Sequence, residues 1–381
     1  MKFTVEQRDG DARAGVFRTD RGDIPTPVFM PVGTQGAVKA VEVRELEEIG
    51  AAVILGNAYH LYLRPGTALI EKAGGLHRFN GWGKPILTDS GGYQVFSLSA
   101  LRRISEEGVR FRSHIDGSAH LFTPEGVVDI QRSLGSDIMM VLDECTPYPC
   151  DEAYAAESNA LTLRWAARAR ERLAGTAPLY GREQALFGIV QGSTYERIRE
   201  DSARALAAME FDGYAVGGLA VGEPEEEMYR ITGLCTAILP EGKPRYLMGV
   251  GTPQNILEAI ERGIDMFDCV LPTRNGRNAV LFTRHGKLNM RNAAHAEDFR
   301  PPDASCPCYA CRNFTRAYIR HLFRAGEILA LQLATIHNLT FYIRLVAEAR
   351  GAILAGRFAA WKASTLNALS AEVAGAEQTP Q

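Results

Sequence analysis

Short apolar runs rich in Val, Ile, Leu and Met recur eight times along the chain, each stopping abruptly at a polar residue or a glycine. They are PVFMPVGTQ (27–35), AAVILGNAYH (51–60), PILTDSGG (85–92), DIMMVLDE (137–144), LFGIVQGS (186–193), GYAVGGLA (213–220), RYLMGVGT (245–252) and MFDCVLPT (266–273). Unbroken apolar succession, rather than alternation, predicts strands buried on both faces, the condition of a parallel sheet. Between the runs, segments 41–50, 124–135, 151–174, 193–210, 223–240 and 252–263 show helical spacing or open on Ser, Thr or Pro start signals. Eight strand–helix units predict an α/β protein built as a (β/α)8 TIM barrel, whose chemistry sits where the strands end. A doubly wound open sheet competes, but no Gly-x-Gly-x-x-Gly turn follows the first strand. The long gap between the third and fourth runs holds VRFRSHIDGSAHLF (109–122), two strand-like stretches around Asp116-Gly117, and predicts an inserted β-hairpin. The final stretch, AGAEQTPQ, predicts a frayed tail.

Within this frame the residues at the run ends become the candidate site: Asn57, Asp89, Asp143, Gln191, Gly217-Gly218 and Asp268. A single Asp at such a position commonly caps the next helix or begins a turn. Three at the same end of one barrel ask for another explanation. Two carboxylates flanking a sugar C1′ are what glycosidic chemistry needs, one to attack and one to protonate the departing group. Gln191 and a third Asp could read a hydrogen-bonding heterocycle, and a Gly-Gly pair lets backbone approach a flat ligand because no Cβ intervenes.

Composition narrows the classes. A chain of 381 residues, 46% hydrophobic and 23% charged, is that of a globular protein with ample core. The polar N-terminus MKFTVEQRDG does not read as a signal peptide, and no apolar run approaches the ~20 residues of a membrane span. Seven cysteines, an odd number, argue against a disulfide framework and for a cytoplasmic location. The net charge of −3 conceals a basic segment: Val270 to Ala325 carries ten Lys and Arg against three acids. Such a concentration on an acidic body is suited to gripping a polyanion, although arginines scattered on a solvated helix face would give the same count.

The stretch SCPCYACRN (305–313) packs three cysteines into six residues, which suggests bound zinc. Structural zinc takes four Cys or His ligands, so one more is required, and His321 and His337 are the nearby candidates. His321 lies among arginines on a helix face; His337 lies among apolar neighbours, where a lone His is usually a packed core residue, but an unfilled three-cysteine site shifts that balance and spacing leans mildly to His337. A rival reading joins His295-Ala296-Glu297 to Pro307-Cys308-x-x-Cys311 as a zinc nucleobase deaminase signature. The ten residues from Asp298 to Pro307, interrupted by Pro301-Pro302, leave no room for the helix and strand that signature requires.

Together TDSGGYQVF (88–96), LDECTPYP (142–149), GIVQGS (188–193), AVGGLAVGE (215–223), MGVGTP (248–253), FDCVLPTRNGRN (267–278) and CPCYAC (306–311) closely resemble, in the same order, the tRNA-guanine transglycosylases. The resemblance runs from about Thr26 to the helix after His337. It implies a TIM barrel that removes guanine from its ribose in tRNA and inserts a modified base without breaking the backbone. It implies Asp268 as the nucleophile at C1′, giving a covalent tRNA–enzyme intermediate, and Asp89 as general acid/base. It further implies Asp143, Gln191 and the Gly218 amide on the purine edge, with Tyr93 and Met248 on its faces. The Leu219 carbonyl, supported by Glu223, would meet the aminomethyl group of 7-aminomethyl-7-deazaguanine. Arg274 and Arg277 are placed to bind the flanking RNA. Cys306, Cys308, Cys311 and His337 would hold one structural zinc, and the partners would be tRNA, a 7-deazaguanine base and a second copy in a homodimer, with no membrane. Cys145 and Val221, together with the lack of room for added C-terminal RNA-binding domains, favour the bacterial type acting on the wobble guanine of GUN anticodons in queuosine biosynthesis. The expected division is a barrel over 1–299, a zinc-binding subdomain over 300–340, and over 341–381 a C-terminal helix returning to the barrel plus the tail. The competing functions are a barrel glycosidase or nucleoside hydrolase, and a non-catalytic RNA-binding subunit.

Overall fold

The computed structural model describes residues 1–98 and 102–370, so the expected tail lies outside the described residues. Eight parallel strands form one sheet: β1 (Val28–Met30), β2 (Ile54–Asn57), β3 (Ile86–Asp89), β4 (Ile138–Met140), β5 (Ala185–Val190), β6 (Gly213–Val216), β7 (Arg245–Leu247) and β8 (Met266–Asp268). Seven of them lie wholly inside the runs expected from the sequence, and β5 begins one residue early. In the sheet order β1 follows β8, and β2 stands at the far edge. Those two edges meet just past β1, where Val32 bridges Leu55 in parallel and the Leu55 carbonyl accepts from Gly33 N at 2.7 Å. The sheet therefore closes on itself as a barrel.

Helices follow the strands where start signals stand. Thr123 caps Pro124–Leu134, Asp151 caps Glu152–Ala174 and Thr252 caps Pro253–Glu261, each side chain accepting a backbone N–H three residues on. The barrel core is continuous, with Phe29, Met139, Phe187, Ala215, Leu247 and Phe267 all nearly inaccessible. Burial of each of these side chains other than Ala215 contributes about 1.5–3 kcal/mol.

The two ends of the barrel use acids differently. At the amino-terminal end, Asp265 pairs with the buried Arg13 (Nε to Oδ1, 2.9 Å) and accepts from Arg245 N at 2.7 Å. Asp137 there receives Ile86 N at 2.8 Å and lies 3.0 Å from His77 Nε2. These acids fasten strands and belong to stability. Arg13 comes from an antiparallel sheet, Lys2–Asp9, Ala12–Thr19 and Gly22–Thr26, that the apolar runs do not foretell.

The expected hairpin is present as Gly108–Arg112 paired with Ala119–Phe122, and a further strand, Arg102–Ser105, extends it to three. Its inner face packs Val109, Phe111 and Phe122 against Tyr59 and Trp165. Beyond the barrel, the hairpin Val280–Thr283/Gly286–Asn289, the three-cysteine segment and the helix Arg316–Ala325 share a second apolar cluster. The 27-residue helix Ile328–Leu354 joins both bodies: Leu333 and Ile336 pack in the second cluster, Leu345 and Ile353 in the barrel core.

Candidate active site

At the carboxyl ends of the strands lies a cavity of about 580 Å³ lined by Asn57, Asp89, Tyr93, Asp143, Gln191, Gly218, Leu219, Tyr246, Met248, Asp268 and Arg274, among others. Asn57 and Asp89 are the last residues of β2 and β3 and stand opposite one another in register. Asn57 Nδ2 donates to Asp89 Oδ2 at 3.1 Å. Burial pushes the Asp89 carboxyl up to about 7, helped by the nearby charges of Asp143 and Asp268. A carboxyl near that value can both give and take a proton at neutral pH.

Asp268 ends β8. Its Oδ1 accepts from Tyr246 Oη at 2.6 Å and from Gly249 N at 2.7 Å, while Oδ2 has no hydrogen bond among the described residues. Burial raises its pKa, and the Tyr246 and Gly249 donations pull against that rise. One oxygen is held and the other is presented.

Asp143 follows β4 by three residues and receives Gln191 Nε2 at 2.6 Å. Burial lifts it to about 6, with the Gln191 bond opposing. The next loop, after β6, explains its glycines. A Cβ at Gly217 would meet Gln191 Nε2 at 2.8 Å, and one at Gly218, whose φ is +64°, would meet Gln191 Oε1 at 2.3 Å. Only glycine lets Gln191 and this loop come so close. Farther along the loop, the Glu223 carboxylate accepts from Ala220 N and, at 3.0 Å, from Val221 N. Because the Leu219–Ala220 peptide is planar and trans, its carbonyl points away from Glu223.

Tyr93 is 47% exposed at the cavity rim, and Met248 is half-buried. Arg274 reaches the cavity from the helix Leu271–Arg277; Arg277, one turn on, donates from Nη1 to the Thr273 carbonyl at 2.9 Å and does not line it. Neither forms an ion pair among the described residues. Three groups escaped the sequence reading: Tyr246 and Gly249, which hold Asp268, and the buried Arg199, which binds loop carbonyls behind the cavity. Tyr246 offers no signal of its own inside an apolar run, and Arg199 is one of several charges on a helix.

Away from the cavity, Cys306, Cys308, Cys311 and His337 are all buried, and their ligand atoms lie within 4.8 Å of one another. His337 Nδ1 is 3.2 Å from Cys311 Sγ and 3.7 Å from Cys308 Sγ. Tetrahedral zinc with ordinary bond lengths sets neighbouring ligand atoms about 3.6–3.8 Å apart. The far nitrogen, Nε2, lies 2.7 Å from the Phe282 carbonyl, a partner that fixes the ring so that Nδ1 faces the sulfurs. These soft donors could hold a metal ion. His321 is exposed and stacks on Tyr318, and His295 lies beside Asp298, outside the cysteine group.

A closed parallel barrel with carboxylates and amide donors converging on one cavity at its carboxyl end is the arrangement of a TIM-barrel enzyme. A sequence profile described as Queuine tRNA-ribosyltransferase matches residues 8–371. A protein of that name from Solidesulfovibrio magneticus is 58% identical over 361 residues, covering 95% of this chain and 96% of its own. One from Thermoanaerobacter sp. (strain X514) is 57% identical over 364 residues with the same coverage, and one from Thiobacillus denitrificans is 56% identical over 358. The chain belongs to the queuine tRNA-ribosyltransferase family.

Proposed function

We propose that this enzyme exchanges guanine at the wobble position of GUN-anticodon tRNAs for 7-aminomethyl-7-deazaguanine, in queuosine biosynthesis. The observation that carries this reading is the pairing of Asp268, which presents one unbonded oxygen, with Asp89, whose pKa lies near 7, in one cavity. In the first step an Asp268 carboxylate oxygen attacks C1′ as the C1′–N9 bond breaks. The bonding pair leaves with guanine, and protonated Asp89 neutralises the departing base. In the second step Asp89 takes a proton from the incoming base, whose N9 attacks C1′ and releases Asp268. Two displacements at C1′ restore the original configuration.

In this reading Asp143, Gln191 and the Gly218 amide read the purine edge, and Tyr93 and Met248 stack on its faces. The Leu219 carbonyl, its peptide anchored by Glu223, receives the aminomethyl group. Arg274 and Arg277 hold the flanking RNA. Cys306, Cys308, Cys311 and His337 would hold a structural zinc; a Cys3His set is closed, leaving no position for a reacting water. The zinc would organise a subdomain over 300–340 between the barrel (1–299) and the C-terminal segment (341–381). The partners are tRNA and the 7-deazaguanine base, and the enzyme acts as a homodimer in the cytoplasm, where its tRNA substrate is. No helix among the described residues is long and apolar enough to cross a membrane.

The test is incubation with radiolabelled guanine and unmodified GUN-anticodon tRNA. Label is expected in the tRNA; folded, zinc-loaded protein that incorporates none refutes the reading.

A further inference from the structure

Arg199 sits on the helix Glu196–Ala208 after β5, with its side chain wholly buried and no ion pair to a carboxylate among the described residues. A buried guanidinium normally has an anionic partner, because desolvating the charge is costly. Here it is satisfied by carbonyls. Nε donates to Ser193 O at 2.7 Å, Nη1 to Val190 O at 2.9 Å and to Gly217 O at 2.8 Å, and Nη2 to Gly218 O at 3.4 Å. Val190 and Ser193 flank Gln191; Gly217 and Gly218 form the glycine pair on the adjacent loop. One planar fork thus ties together the ends of two neighbouring strands. Lysine, with three donors on a single atom, cannot span the same four carbonyls.

The spacing it sets is tight. Gln191 Oε1 is buried without a hydrogen-bond partner among the described residues, and a Cβ on Gly218 would stand 2.3 Å from it. A small separation of the two loops would move this amide, and with it the Asp143 bond at 2.6 Å.

We infer that Arg199 is a positioning residue for base recognition, holding the Gln191 loop and the Gly217-Gly218 loop at the spacing in which a purine edge is read. This rests on the base-exchange reading above. A residue serving the fold alone would lower the amount of active enzyme, and so apparent kcat, without changing KM. A positioning residue changes KM for the free base selectively, because phosphate contacts elsewhere supply most tRNA affinity.

The experiment measures guanine incorporation by Arg199→Lys and Arg199→Met with base and tRNA varied separately, alongside melting temperature and zinc content. Arg199→Lys should raise KM for guanine about tenfold or more, as expected for losing charge-assisted hydrogen bonds, with KM for tRNA within about threefold of wild type. Arg199→Met should raise it further. An unchanged guanine KM in Arg199→Lys, parallel rises in both KM values, or loss of kcat alone would each overturn the inference. Hydrogen exchange on the wild-type protein tests it without a variant. Added guanine should slow exchange in segments 190–193 and 217–220 together, and protection of one segment without the other refutes the coupling. A wild-type protein that incorporates no guanine would overturn the base-exchange reading itself, and this inference with it.

Discussion

Tyr246 Oη donates to Asp268 Oδ1 at 2.6 Å, so a residue in the middle of β7 aims the carboxylate that ends β8. The bond crosses two adjacent strands and leaves Oδ2 as the oxygen presented to the cavity. Because it favours the ionised carboxylate, Tyr246→Phe should raise the Asp268 pKa further. The acid limb of the pH–rate profile for the denaturant-stable tRNA–protein adduct should then move to higher pH. The adduct rate at pH 7 should fall about tenfold or more, the scale of a hydrogen bond to a charged group. A profile superimposable on wild type would show that the phenol does not orient the nucleophile.

Asp89 links chemistry to stability. Its folded pKa of about 7 exceeds the ordinary 3.8. The folded state therefore holds this proton more tightly than the unfolded chain does. The contribution is fully present below about pH 4 and is lost as pH rises through 7. Asp89→Asn keeps a neutral group at all pH values, so it should melt a few degrees above wild type at pH 8 and level with it at pH 4. The same variant should lose base exchange, measured by guanine incorporation. Equal melting at pH 8 would mean Asp89 ionises without penalty.

Gly218→Ala tests the approach of backbone to Gln191. The added methyl would stand 2.3 Å from Gln191 Oε1 at a φ of +64°. Loss of about a hundredfold in kcat/KM for the base is expected, with zinc content and the far-ultraviolet spectrum unchanged. Retained affinity for guanine would refute the assigned edge contact.

The metal should be separable from the chemistry. Metal analysis should return one zinc per chain, and Cys308→Ser should lose it together with thermal stability and soluble yield. A folded, metal-free variant that binds guanine normally yet forms no adduct would point to a part for zinc in the reaction.

Arg274 and Arg277 should act through charge. Replacing either with Ala should weaken tRNA binding and reduce the slope of log Kd against log salt by about 0.7–0.9, the share of one phosphate contact. An unchanged slope would remove that arginine from the RNA interface.

Much of the architecture was legible because its signals are local. An unbroken apolar run such as IMMVL (138–142) can be buried only on both faces, and the caps Thr123, Asp151 and Thr252 act within three residues of themselves. A polar residue that closes or interrupts a run marks the carboxyl end of its strand, so the sequence alone assigns Asp89, Asp143 and Asp268 to one end of the barrel. The cysteine spacing pointed in the same way to a loop that could hold a metal ion. The N-terminal sheet stayed hidden because its strands alternate weakly and mix Arg and Asp with apolar residues; Arg13, buried against Asp265, reads from sequence as a surface charge.

What the chain order alone determined is thus the repeating unit and the end of the barrel at which the acids lie. The tertiary structure decided which groups meet. His337, 26 positions beyond Cys311, meets the cysteines because a long helix carries it there; spacing alone leans to it over His321 without deciding between them. Tyr246 became the holder of Asp268, and Arg199 the clamp behind Gln191, only once neighbouring strands were brought side by side. Polarity and spacing act along the chain, whereas a hydrogen bond or a desolvated charge depends on distances through space, which closure of the barrel sets.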